Sequence, residues 1–170
     1  MALCTGTAKY TWQIWRKQMC NSSKLYDQNT FYTAFERDLK HCKQELIIES
    51  PFITARRMNA LLPFFARLRK RGVSIIVNTR NPAEHNGDYY YQSLDAVTTM
   101  QAIGITILYT VGHHRKLAVI DREMFYEGSL NILSYSDSCE IMRRIVSSSE
   151  TEMLIKFIGI KKNVRCKYGF

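Results

Sequence analysis

Between Asn29 and Gln44 the apolar side chains recur at helical spacing. Phe31, Phe35 and Leu39 fall at i, i+4 and i+8 with Tyr32 and Cys42 beside them, which predicts a helix with one buried stripe. The run Leu46-Ile47-Ile48 predicts a short buried strand, closed by Glu49-Ser50-Pro51, where proline forbids continued central pairing. Thr54 is placed to cap a second helix that reaches about Arg71, turns Leu61, Leu62, Phe65 and Leu68 inward, kinks at Pro63 and stops at Gly72. Val73 to Val77 predicts another strand. A polar loop from Asn81 to Asp88 precedes a third helix, Tyr89 to Ala102, ended by Gly104, and Ile105 to Leu108 follows as a strand.

Alternating strands and helices predict an α/β fold: a mixed, largely parallel β-sheet flanked by helices. After Gly112 the pattern changes. Lys116 to Asp121, Met124 to Tyr126 and Ile141 to Val146 read as strands joined by short turns, which adds antiparallel pairing, and Glu150 to Ile158 predicts a closing helix. With 170 residues, one domain is expected: an extension of unexplained role at 1–28, a catalytic domain at 29–158 and a basic tail at 159–170.

Twenty-four Lys and Arg against fifteen Asp and Glu give a formal charge of +9, which directs the chain toward polyanions such as nucleic acid, anionic lipid or phosphorylated ligands. The charge is uneven. From Thr54 to Arg80 there are seven cations and no acid, so Arg56, Arg57, Arg69, Lys70 and Arg71 are read as a phosphate-tracking surface. The five cysteines, Cys4, Cys20, Cys42, Cys139 and Cys166, never form a C-x-x-C pair, and neither a metal nor a cofactor is expected. A leader sequence is not recognisable and no apolar run approaches membrane-spanning length, so the expectation is a cytoplasmic chain with reduced thiols and no integral membrane association.

The segment from His114 to Asn131 reads H-x-K-x4-D-x6-G-S-x-N. Six specified residues at fixed spacing arise by accident in a chain of this length on the order of once in a million. On strand alternation His114 and Lys116 share a face, and a tight turn at Asp121 to Glu123 returns Ser129 and Asn131 to the same pocket. Lys116, Ser129 and Asn131 can then donate hydrogen bonds to the non-bridging oxygens of a phosphodiester, leaving His114 free to attack phosphorus. Gly128 is read as allowing close backbone approach to the ligand, and Asp121 as fixing the turn rather than touching substrate. His113 alternates to the other face and reads as structural or surface.

This segment is similar to the HKD motif of the phospholipase D superfamily, and 29–158 resembles its bacterial PLD-like domains. The resemblance implies a mixed α/β fold and a two-step mechanism: one histidine forms a phosphohistidine while a second protonates the leaving oxygen. It also implies an acidic residue that orients the nucleophile through its far ring nitrogen. Glu140 is the best match, with Glu127 as competitor. Only one complete motif is present, since His41-Cys42-Lys43 lacks the residues that should follow, so the second histidine must come from another copy and a homodimer is implied.

Three functions follow as expectations. The first is a metal-independent phosphodiesterase, an endonuclease acting on DNA or RNA. The second is a phospholipid hydrolase or headgroup transferase. The third is a non-catalytic nucleic-acid-binding module, part of a defence, repair or helicase-linked assembly with a helicase or defence-system partner.

Overall fold

The apolar runs stack as seven strands of one sheet in the computed structural model, which describes residues 22–135 and 137–160. In chain order the elements are β1 (Ser22–Asp27), α1 (Phe31–His41), β2 (Glu45–Glu49), α2 (Ala55–Lys70), β3 (Ser74–Thr79), α3 (Asp88–Ala102), β4 (Thr106–Tyr109), β5 (Leu117–Ile120), β6 (Met124–Gly128), β7 (Ile141–Val146) and α4 (Ser148–Ile158). The sheet order is β1-β7-β6-β5-β2-β3-β4. The α/β class and the mixed sheet are as the sequence predicts, but "largely parallel" describes one side only. Parallel pairing is confined to β2 with β3 and β3 with β4, where helices provide the crossovers; the other four pairings are antiparallel.

Strand alternation builds two cores. Leu46, Ile48, Ile75, Val77, Ala118 and Ile120 face the layer of α1, α2 and α3, while Ile47, Ile76, Leu117 and Val119 face α4. In the first core, Phe31 and Phe35 stack at 5.3 Å and both meet the Tyr126 ring edge-on, at 5.3 and 5.7 Å. Each such fully buried ring contributes about 2–3 kcal/mol of apolar burial. The Tyr126 hydroxyl donates to Asp38 at 2.6 Å, as does Arg144 Nε, so that α1 is tied to β6 and β7 by polar as well as apolar contacts. α2 continues through Pro63 as one helix.

Two features differ from the sequence reading. β1 lies within 1–28, where no strand is predicted, and pairs along its whole length with β7, from Ser22 opposite Val146 to Asp27 opposite Ile141. The turn between β5 and β6 places Asp121 and Arg122 at φ of 53° and 56°, and the Asp121 carboxylate accepts the backbone N–H groups of Lys43, Gln44 and Glu45 at 2.7–3.0 Å. Asp121 thus fixes more than its own turn, because it also clamps the α1–β2 connection. Burial would raise its pKa, but these N–H donors prevail and hold it below the usual carboxylate value.

Candidate active site

Register brings the motif together. Glu49 at the carboxyl end of β2 sits opposite Leu117 at the start of β5, Leu117 opposite Glu127 near the end of β6, and Gly128 opposite Met142 at the start of β7. One end of the sheet therefore collects His114 and Lys116 before β5, Ser129 and Asn131 after β6, and Glu140 before β7. β5 begins one residue after Lys116, although the N–H of Gly128 still reaches the Lys116 carbonyl at 3.2 Å.

Lys116 and His114 do point the same way. The ammonium Nζ is 3.2 Å from Nδ1 and 3.4 Å from Nε2 of the imidazole, and it donates to the His114 carbonyl at 2.8 Å. Partial burial lowers the Lys116 pKa, the nearby Glu140 charge opposes that shift and the Arg80 charge adds to it. The imidazole is exposed at the open end of the sheet.

Ser129 and Glu140 form a second pair. The Ser129 hydroxyl donates to one Glu140 oxygen, Ser138 donates to the other at 2.5 Å, and Ser129 Oγ accepts the Ile141 N–H at 3.1 Å. In this arrangement Ser129 serves Glu140 rather than standing free as a donor. The Glu140 carboxylate is held by the two hydroxyls, not by His114 within the same chain, and its electrostatic reach is to Lys116. Asn131 carries a buried Oδ1 without a hydrogen-bond partner among the described residues.

The reading of Gly128 changes. A Cβ there would fall 2.0 Å from the Ile141 carbonyl and 2.9 Å from the Met142 Cα, so glycine is required by the approach of β7 rather than by a ligand. Two of the basic residues are also used structurally. Arg69 donates to the carbonyls of Val73 and Ile103, and Arg71 to those of Lys40 and Cys42. Both stand at the far end of α2, about 20 Å along the helix from Arg57, and Lys70 is exposed beside them. Arg56 and Arg57 open the same helix at the site end, where they lie over the rings of Tyr135 at 3.7 Å and Tyr32 at 3.3 Å.

Beneath the motif is an ion pair that sequence reasoning missed. Arg115 donates from Nε and Nη2 to the two oxygens of Glu49 at 2.5 and 2.9 Å, and Glu49 is fully buried. Asn78 donates to Glu49 and receives Thr110 on its own carbonyl oxygen. The available signal was alternation: Arg115 must point away from the face of its neighbours, toward the charged end of β2. His113 is buried, its carbonyl accepts Arg80 Nε at 2.8 Å, and burial lowers its pKa. His41 ends α1, with Nδ1 2.9 Å from the Arg37 carbonyl. Of the cysteines, Cys42 is buried, with its thiol pushed up to about 12 by burial, Cys139 is exposed, and Cys4, Cys20 and Cys166 lie outside the described residues. Among the described residues no cluster of three or more His, Cys, Asp or Glu is arranged to hold a metal ion, and no helix is long and apolar enough to cross a membrane.

With this geometry in hand, the family profile described as "Cardiolipin synthase, PLD-like domain" matches residues 35–157. The chain belongs to this PLD-like family, within a superfamily of phosphodiesterases in general. Among solved structures it is similar to Nuc, a phospholipase D family member from Salmonella typhimurium (TM-score 0.65, 16% identity, 81% of this chain and 91% of that one). NucT from Helicobacter pylori gives a TM-score of 0.63 at 12% identity, covering 82% of this chain and 94% of that one. The archaeal chromatin protein TrmBL2 gives 0.53 at 9% identity, covering 89% and 56%. No curated protein sequence matches the chain.

Proposed function

We propose that this chain is a metal-independent endonuclease in which His114 attacks the phosphorus of a DNA or RNA phosphodiester. The observation that carries the reading is the Lys116 ammonium held against the His114 imidazole at the open end of the sheet. Attack forms the Nε2–P bond and breaks the P–O bond to the leaving strand, whose oxygen takes a proton from a second imidazole. Water then cleaves the phosphohistidine and returns His114. Lys116 and the amide of Asn131 bear on the non-bridging oxygens, and Glu140 is assigned to orienting an imidazole.

The second imidazole is assigned to another copy of the chain. Supporting this, Leu25, Ile141 and Phe157 are 53–81% exposed and line a cleft of about 610 Å³ together with Lys116 and Arg143, so an apolar face adjoins the site. The net charge of +9 and the DNA-binding mode named for TrmBL2 support nucleic acid as substrate. Phospholipid is the second reading, favoured by the cardiolipin synthase description of the family. The test is incubation with labelled single- and double-stranded DNA and RNA, and with anionic liposomes, in excess EDTA. Strand cleavage without lipid turnover is expected, and a strict Mg²⁺ requirement would overturn the mechanism.

A further inference from the structure

Beside the motif, a cleft of about 430 Å³ opens between the start of α1, the start of α2 and the loop that follows Asn131. Its lining includes Leu130, which separates Ser129 from Asn131, and Glu140, which accepts the Ser129 hydroxyl, so the cleft adjoins the motif. The Arg57 guanidinium lies flat on the Tyr32 ring, and the Tyr32 hydroxyl donates to the Ile132 carbonyl at 3.1 Å, which fixes the ring to the loop that carries Asn131. A guanidinium held by its face keeps its N–H edge for a planar, two-point acceptor. Arg57 Nε is buried with no acceptor, and among the described residues no carboxylate lies within ion-pair distance of this cation, the Glu36 charge acting on it only from farther away.

The rest of the lining narrows the ligand. Gln28, Asn29, Ser134 and Ser138 are polar and unsuited to an acyl chain. Asp137 and Glu140 keep their negative charge while accepting hydroxyls from Tyr135, Ser129 and Ser138, so they repel an anion and confine it to the Arg57 end of the cleft. Tyr135, one-third exposed at the rim, presents an aromatic surface, with Arg56 over its ring. A cavity of this volume holds a small ligand or one unit of a polymer, not a duplex.

Building on the nuclease reading, we propose that this cleft binds the nucleotide next to the scissile phosphodiester on an unpaired strand, with Arg57 on its phosphate and Tyr135 against its base. The active site thereby prefers single-stranded nucleic acid.

The test uses the full chain carrying His114→Ala, so that binding is read without cleavage. Fluorescence anisotropy with a labelled single-stranded oligonucleotide should show affinity falling about tenfold for added Arg57→Ala and for added Tyr135→Ala, with Tyr135→Phe close to the parent. Arg57→Ala should also lower the slope of log affinity against log salt by about 0.7, one contact on a single strand. Affinity for a duplex of the same sequence should change less than threefold. Tyr135 stands at the rim, so its variants test the proposal even if Arg57→Ala fails to fold. Unchanged single-strand affinity in the folded variants, or an equal loss on the duplex or on phosphatidylglycerol vesicles, would overturn the subsite. If the His114-intact chain binds the strand but does not cleave it, the nuclease reading falls while the subsite stands; cleavage with unaffected binding in the variants gives the reverse.

Discussion

Glu49 grips Arg115 through both carboxylate oxygens, and Arg115 is the residue that separates His114 from Lys116. The proposed catalytic pair therefore stands on a backbone whose opposite side is anchored to a fully buried charge. Removing that charge leaves a guanidinium that is 39% exposed facing a neutral amide, a loss of about 1–3 kcal/mol for a weakened charged hydrogen-bond pair. Glu49→Gln should lower kcat at least tenfold with little change in KM, because the imidazole loses its position rather than the substrate its contacts. Steady-state kinetics together with thermal melting check this, and an unchanged kcat in a folded variant would refute it.

The Lys116 ammonium must be charged to hold a phosphate. Burial lowers its pKa and Arg80 lowers it further, against the opposing effect of Glu140. As pH rises through that lowered value the proton is lost, so the alkaline limb of oligonucleotide affinity, read in the His114→Ala chain where no imidazole has to donate a proton, lies below the ordinary lysine range. Arg80→Gln should move the limb upward. A limb that stays in place shows that another group titrates there.

A site shared between two copies makes activity depend on pairing. If wild-type and His114→Ala chains are mixed equally, unfolded together and refolded, only pairs of two wild-type chains keep both histidines. Activity per total protein should drop to about a quarter of wild type, against about a half for independent chains. Mixed pairs are verified by copurification through a tag on the mutant alone.

Asp121 has its pKa depressed by three backbone donors, so its stabilisation is present above the unfolded value near 4 and is lost as pH falls through the folded one. Asp121→Asn should cost about 2 kcal/mol at neutral pH. The gap to wild type should shrink in acid, which urea unfolding at pH 7 and pH 3 measures. A gap independent of pH would mean that the charge is not what the clamp uses.

The residues that were legible in sequence are those whose neighbours are local. His114 and Lys116 are two apart on an extended chain, so alternation alone predicts their contact. The helices follow from stripes such as Phe31, Phe35 and Leu39. What escaped depends on distant backbone. Ser22–Asp27 has two adjacent apolar residues, Leu25 and Tyr26, and no alternation to reveal a strand; its pairing depends on β7, more than a hundred residues away. The need for glycine at 128 comes from the Ile141 carbonyl, and Arg69 and Arg71 look like a ligand-facing cluster until the carbonyls they serve are in view. The partner that Glu140 takes from Ser129 was hidden for the same reason.

β1 also changes what a minimal catalytic unit would be. Gln28, the residue after it, accepts the Glu140 backbone N–H at 3.0 Å through its side-chain oxygen. A chain shortened to begin at Asn29 would keep the whole motif and yet strip β7 of its outer neighbour. The carboxylate beside Ser129 would lose its backbone tether, and a six-residue row of unpaired N–H and C=O groups would become an adhesive edge open to intermolecular strand addition. The stretch that looks most dispensable is thus the sheet's outer strand and the tether of the Glu140 end of β7.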